Sequence, residues 1–381
     1  PTPTPTPTPK AQPMDASTSI PVSGPSEAVP KKALDESETL AQDQKEGDPG
    51  LGQFLFHRRI IGVGKARTFT RSPSAAHISS IENEIREFMN MHKVAGLMVL
   101  LNGEALIEKY GMNSSVNMRL QTIDVTQSIL ATMVGAALQD GLLALDTRTG
   151  DVIGHNAGPI YSMATVYQLL KMQSGVKWQS GGKDADDLQQ LIRSGQLGER
   201  GATLSFLATF PADPSLADGE TYNYNPGDFQ VLAEVLDATV RRHGYDGLSD
   251  YLSVKVMQPF KMGGGAWASE MQNSGELIFP GIALSLSDTA RFAQGMVEEM
   301  KKKHSSILPN AWYKNDCIDL TADVSLRNSC QAIIVMPDEG LVYVLQSGVA
   351  NRDIEQAQEL HEAFQALQKK IAWTITKSYL H

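Results

Sequence analysis

The sequence predicts an α/β (α+β) protein: an antiparallel sheet flanked by helices, with an all-helical part inserted between the sheet's first and last strands. Three observations carry this. Residues 94–101 and 104–110 are strand-like runs joined by Asn102-Gly103, the strongest short hairpin signal. Residues 331–336 and 340–346 form a second pair, turning at Pro337-Asp338-Glu339-Gly340, and a long amphipathic helix follows. Between the pairs, from 121 to about 310, apolar residues recur at helical spacing, broken by long loops.

Taken in order, residues 1–50 predict a disordered, Pro/Thr-rich tether. The opening Pro-Thr repeat favours polyproline II, and the following segment is rich in Ser, Pro, Lys and Glu with almost no aromatic residues. At ~3.1 Å per residue such a tether reaches on the order of 150 Å. Residues 51–74 read as an N-terminal arm with an aromatic and basic patch, Phe54 to Ile61. The arm is expected to pack along its own domain, with docking to another protein as the alternative. Gly62-Val63-Gly64-Lys65 lacks the spacing of a phosphate loop.

The domain itself is expected over 75–381. A helix opens at Ser79 or Ser80 and runs to about Met91, with Ile81, Ile85, Phe88 and Met89 on one face. The strand 94–101 is apolar on both sides, which implies a central strand covered by helices on both faces. The last helix spans about 353–373 and carries Ala357, Leu360, Phe364, Leu367 and Ile371 on its apolar side. These elements place the α/β part at 75–120 and 325–381, and the helical part at 121–324.

The most informative stretch is 119–141. From Gln127 onward, Ile129, Leu130, Met133, Val134, Ala137 and Leu138 make one apolar stripe, which predicts a buried helix. Gly141 supplies the stop. Asp124 followed three residues later by Gln127 has the pattern of a capping box, which places a carboxylate where the helix dipole favours it.

Bulk properties narrow the function classes. The 381 residues allow one large domain or two modest ones. A formal charge of −10 argues against nucleic acid, whose affinity comes mainly from phosphate neutralisation by Lys and Arg. No run approaches the roughly 18 apolar residues needed to span a bilayer. The two cysteines, Cys317 and Cys330, exclude a disulfide framework and a cysteine-built zinc site. They leave two readings open: a bridge contributing roughly 3 kcal/mol in an oxidising compartment, or two partly buried thiols. The eight histidines show no ligand spacing, so neither a metal nor another cofactor is expected.

The stretch beginning at Asp124 resembles the signature helix of the serine β-lactamase and DD-peptidase superfamily. This is the penicillin-binding protein-like group that includes class C enzymes and 6-aminohexanoate-dimer hydrolases. There the helix begins Ser-x-x-Lys within a run like Ser-Val-Thr-Lys-Ser-Ile-Leu-x-x-Leu-Val-Gly-x-Ala. Laid over this chain, the serine falls on Asp124 and the lysine on Gln127, while Val125, Thr126, Ser128, Ile129, Leu130, Val134, Gly135 and Ala137 fit. Further resembling segments follow in family order: 166–178, 222–232, 256–262 and 284–293. The resemblance covers about 75 to 370 and implies the same architecture as the element-by-element reading.

In the resembled enzymes the serine attacks a carbonyl, the lysine one turn on supports the base, and a tyrosine from the helical part moves the proton. A strand supplies an N–H to the oxyanion hole. Tyr224 matches the tyrosine, but the asparagine of the related Tyr-x-Asn motif falls on Pro226. The third motif, usually Lys- or His-x-Gly or a Gly-Gly-Gln run before the strand, falls near Asn328-Ser329-Cys330-Gln331, and no Lys-Thr-Gly is present. The resemblance therefore marks Asp124, Gln127, Tyr224, Ser329, Cys330 and Gln331 as positions of a degenerate site.

Asp124 as a replacement nucleophile would have to form a mixed anhydride, less stable than an acyl-serine. Carboxylate nucleophiles suit glycosyl or phosphoryl transfer, which need a partnered acid or a metal. Exchanging Ser and Lys⁺ for Asp⁻ and Gln shifts local charge by about −2, which turns anionic substrates away. Two literal Ser-x-x-Lys matches, Ser174 to Lys177 and Ser180 to Lys183, read as surface loop. Losing both nucleophile and base should leave negligible acyl transfer, since losing one costs about 10⁶ in kcat in a comparable hydrolase.

The sequence thus favours a degenerate β-lactamase-like domain, a pseudoenzyme that binds a protein partner or a cell-wall peptide. It is expected to be exported, tethered through its N-terminus in the periplasm or at the outer membrane of a bacterial envelope. The alternative is a working esterase, peptidase or β-lactamase-like hydrolase with a non-standard nucleophile.

Overall fold

The computed structural model describes residues 57–62, 64–122, 124–179, 187–196, 199–270, 275–310, 312–313, 331–348 and 354–378. Contacts divide the chain into Pro1–Asp35 and Glu36–His381, and every described residue belongs to the second unit. In chain order the elements are β1 (His57–Gly62), α1 (Ala75–Ile78), α2 (Glu82–Met91), β2 (Val94–Leu101), β3 (Glu104–Tyr110), β4 (Leu120–Gln121) and α3 (Asp124–Gln139). A run of helices follows: α4 (Thr149–Ile153), α5 (Gly158–Met163), α6 (Val166–Leu170), α7 (Asp187–Gln196), α8 (Ala202–Leu207), α9 (Pro226–Arg242) and α10 (Leu248–Leu252). The chain closes with β5 (Gly264–Ser269), β6 (Ile282–Leu284), α11 (Leu286–Lys301), β7 (Ala332–Met336), β8 (Leu341–Ser347) and α12 (Ile354–Ser378).

The two expected hairpins share one antiparallel sheet of order β3-β2-β8-β7. Asn102 and Gly103 both take positive φ, 52° and 81°, as a two-residue turn of matching twist requires. β2 lies in the sheet interior, and every one of its residues is buried. Its side chains alternate between two cores: Met98 and Leu100 enter the large one, Leu97, Val99 and Leu101 the smaller. The smaller core is closed by α2 and α12, where Phe88 stacks on Phe364 at 5.9 Å and Tyr343 meets Phe364 edge-on at 6.3 Å. α12 continues past the expected end to Ser378, and Ile375 extends its buried stripe.

A second antiparallel sheet, of order β1-β5-β6-β4, joins the arm to the middle of the chain. β1 pairs with β5 from His57 opposite Ser269 to Gly62 opposite Gly264, and Ile61 is buried in the large core. The arm thus packs along its own domain. The segment read as all-helical therefore also carries two strands, β5 and β6. Their signal is hidden in Gly263-Gly264-Gly265, a run that reads locally as loop. Those glycines have a packing reason: a Cβ on Gly264 would sit 2.4 Å from the Ile61 carbonyl oxygen, and one on Gly265 2.7 Å from Leu284.

α3 runs through the large core and is apolar on every side, which only a fully surrounded helix tolerates. Gly141, at φ 71°, ends it as expected. Leu142 N donates to Ala137 O at 2.9 Å and Gly141 N to Leu138 O at 3.1 Å, the paired bonds of a Schellman cap. Among the described residues no helix is long and apolar enough to cross a membrane.

Candidate functional site

The first turn of α3 is held by two threonines. Thr122 N and Oγ1 both donate to the Ile282 carbonyl, at 2.8 and 2.9 Å, and the Thr122 and Thr126 hydroxyls lie 3.0 Å apart. The Ile282 N–H donates to Thr126 Oγ1 at 2.9 Å. Gly281 leaves room for this, since a Cβ there would lie 2.2 Å from Thr126 Oγ1. The helix start is thus bolted to β6 by buried, fully paired hydroxyls.

Val125 N donates to Thr122 O at 2.9 Å, so the turn opens at Thr122 and Asp124 lies inside α3 as its first residue. This moves the expected cap: Asp124 occupies the first turn rather than the capping position before it. Gln127 follows one turn on, half-buried, and its Nε2 is buried with no hydrogen-bond partner among the described residues. A primary amide holds no proton to give up near neutral pH and accepts none there, so Gln127 cannot act as the base. It offers instead an unsatisfied buried donor, which costs about 1–3 kcal/mol.

Tyr224 is half-buried against the large core just before α9. Asn225 caps α9 through Oδ1, which accepts from Gly227 N at 2.9 Å, and its Nδ2 donates to the Tyr161 hydroxyl at 3.0 Å. Pro226 takes the first helical position, where its missing N–H costs nothing. The residue matching the Tyr-x-Asn asparagine is therefore a helix starter, and the neighbouring Asn225 is consumed as a cap.

Three residues into α9, Asp228 is completely buried. It accepts from Ser174 Oγ at 2.7 Å and from Ser174 N at 3.3 Å. Burial pushes its carboxyl up to about 7, against the lowering effect of the Ser174, Tyr161 and Asn225 hydrogen bonds. Burial, then the Asp228 charge, raises the Tyr161 phenol well above its ordinary value. The literal Ser-x-x-Lys serine at 174 is thus a tie between the 171–178 turn and α9. Of the second match, Ser180 and Lys183 lie outside the described residues.

Ser329, Cys330 and Cys317 also lie outside the described residues. Gln331 is buried immediately before β7, and its Nε2 donates to Ser347 O at 3.4 Å. The next residue back on β8, Gln346, donates to Leu284 O at 3.2 Å. Gln331 is therefore linked to the start of α3 through β8, Leu284, Ile282 and Thr126. Among the described residues no three His, Cys, Asp or Glu side chains come together as a metal site.

Sequence reasoning gave no role to Thr122 or Asp228, and Thr126 entered it only as a residue that fits the resembled helix. Asp228 had a signal, an acid three residues after an asparagine ahead of a helix; the threonines had none, because their partner Ile282 is 156 or more residues away.

A family model described as Beta-lactamase matches residues 81–274. The 6-aminohexanoate-dimer hydrolase of Paenarthrobacter ureafaciens is 26% identical over 165 residues, 42% of this chain and 41% of that protein. The chain thus matches less than half the length of this curated relative. A Bacillus anthracis protein named for 6-aminohexanoate-dimer hydrolase activity has a similar structure, with a TM-score of 0.64 at 14% identity over 85% of this chain and 92% of that one. The octameric penicillin-binding protein homologue from Pyrococcus abyssi follows with a TM-score of 0.53 at 13% identity, over 76% of this chain and 77% of that one. At these identities the structural likeness speaks for the fold.

Proposed function

We propose, for a chain that belongs to the Beta-lactamase family, that it is a catalytically degenerate member retained as a binding or scaffolding module. One observation carries the reading. Asp124 and Gln127, within the first turn of α3, match in sequence the positions of the attacking serine and its lysine in the resembled enzymes. Neither supplies an alcohol, and the amide cannot take a proton. The family's peptide-binding cleft is the natural seat for a cell-wall peptide or a protein segment. The Pro/Thr-rich stretch ahead of the domain suits a tether in a bacterial envelope, periplasmic or at the outer membrane.

The test is labelling of the full chain with a fluorescent penicillin and with a fluorophosphonate, read by intact mass. No covalent adduct is expected, and a stoichiometric adduct overturns the reading. The complement is Asp124→Ser with Gln127→Lys, which should allow ester hydrolysis to appear on a scaffold that otherwise has none. Recovery of a specific partner or muropeptide by the tethered protein from an envelope fraction supports the binding role.

A second reading, hydrolysis by another nucleophile, has one observation in its favour. Ser174 Oγ donates to a carboxylate whose affinity for protons lies near neutrality, the range a general base needs. The same labelling separates the two, because an adduct mapped to Ser174 selects this reading.

A further inference from the structure

The last three turns of α12 bury one side and leave the other bare. Ile371 and Ile375 enter the smaller core. On the opposite side of the helix stands Trp373, 67% exposed, whereas the chain's other three tryptophans, Trp178, Trp267 and Trp312, are at most 7% exposed. Lys369 lies one turn before Trp373 and Lys377 one turn after it, with Lys370 alongside, all of them exposed. At this spacing the ammonium groups flank the indole along a single face.

The charge of that face has one sign. No aspartate or glutamate follows Glu362 in the sequence, although the chain as a whole carries −10. From α2, Glu84 accepts from Lys370 Nζ at 2.6 Å, and the exposed Glu87 has Arg86 beside it. Lys369 and Lys377 pair with no carboxylate among the described residues.

We propose that this end of α12 docks on an anionic lipid surface, lying along the bilayer with the Trp373 indole at headgroup depth and Lys369 and Lys377 against the lipid phosphates. An indole has an apolar body and one N–H donor, which suits the boundary between acyl chains and water. Lysines one turn to either side extend long stems from the same face, the arrangement of a helix that rests in the interface plane. A protein partner fits this face less well. A specific interface takes about 800 Å² from each partner around an apolar core, and Trp373 is the only large apolar side chain exposed on α12 among the described residues. Met91, exposed on α2, stands at the other end of this helix pair, because Phe88 meets Phe364 while Glu84 meets Lys370. One indole and two lysines make a weak, reversible contact rather than an anchor. The inference is independent of the reading of the α3 first turn, and its failure would leave that reading untouched.

The test mixes the full chain with vesicles of phosphatidylcholine alone and of phosphatidylcholine with one part in three phosphatidylglycerol, read by co-sedimentation and by tryptophan emission. Partitioning onto the anionic vesicles should be about tenfold stronger, the share of two lysines near a charged surface, and should weaken with added salt. The emission should shift to the blue, because the single exposed tryptophan is the one that enters the lipid. Trp373→Ala should lose most of the co-sedimentation, and Lys369→Gln with Lys377→Gln should lose the preference for anionic vesicles. Both sets of variants change exposed side chains and should melt with the wild type. Equal partitioning onto the two vesicles, binding without a blue shift, or binding that survives in both sets of variants overturns the proposal. So does a blue shift that grows with protein concentration in the absence of lipid, which would select a second copy of the chain as the occupant.

Discussion

Asp228 receives both polar hydrogens of Ser174, the hydroxyl at 2.7 Å and the backbone N–H at 3.3 Å, across 54 residues of chain. That tie fixes the turn after α6 to the first turn of α9, three residues beyond the Asn225 cap that follows Tyr224. It also buries a carboxyl with no cation beside it among the described residues, and the consequence is measurable.

The folded chain keeps the Asp228 proton until about pH 7, whereas the unfolded chain releases it near 3.8. Its stabilising share is complete below about pH 4, falls as the pH rises to 7 and is level above. Asp228→Asn removes this dependence. Urea denaturation from pH 4 to 8 should show the variant gaining on the wild type by on the order of 3 kcal/mol up to pH 7. Glu234, pushed up to about 8 by burial and the Glu270 charge, acts in the same direction in both proteins. The difference therefore isolates Asp228, and a pH-independent difference would contradict the buried, uncompensated carboxyl.

Gln127 carries a buried amide nitrogen without a partner among the described residues. Gln127→Met keeps length and volume and removes the orphaned donor, so the variant should gain about 1 kcal/mol. Calorimetric melting reads this directly. A lowered Tm would mean that the amide is already satisfied.

Thr126 is the opposite case, a hydroxyl whose bonds are all in use. Thr126→Val should cost about 1–3 kcal/mol by stranding the Ile282 N–H, while Thr126→Ser stays within about 1 kcal/mol of wild type. Chemical denaturation of both variants checks this. If Val and Ser behave alike, methyl packing rather than the hydroxyl anchors the start of α3.

A Cβ on Gly135 would lie 2.6 Å from Trp312 Cε2. Gly135→Ala should therefore destabilise by about 1–3 kcal/mol through overpacking, despite the better helix propensity of alanine. In a Trp312→Leu background the same change should cost much less. A double-mutant cycle measures the coupling, and additive costs would show that some other neighbour takes the strain.

What could be read along the chain was whatever is written locally. Asn102-Gly103 and the alternating runs beside it fixed the first hairpin, because turn chemistry and a period of two lie within a few residues of each other. The apolar positions from Ile129 to Leu138 and the stop at Gly141 gave α3, and the identities of Asp124 and Gln127 at its first turn needed no coordinates. That Asp124 and Gln127 match the positions of the resembled family's serine and lysine was read from residue identities alone.

Tertiary structure alone decided how that turn is held and what surrounds it. The pairing of β1 with β5, the Thr126–Ile282 bond and the Ser174–Asp228 tie join residues from 54 to more than 200 positions apart. Nothing local to either partner specifies such a contact, because it exists only once the chain has closed on itself. The glycines at 264, 265 and 281 show the same limit. Read singly they suggest loop; in the fold each stands where a neighbouring backbone or side chain leaves no room for a Cβ.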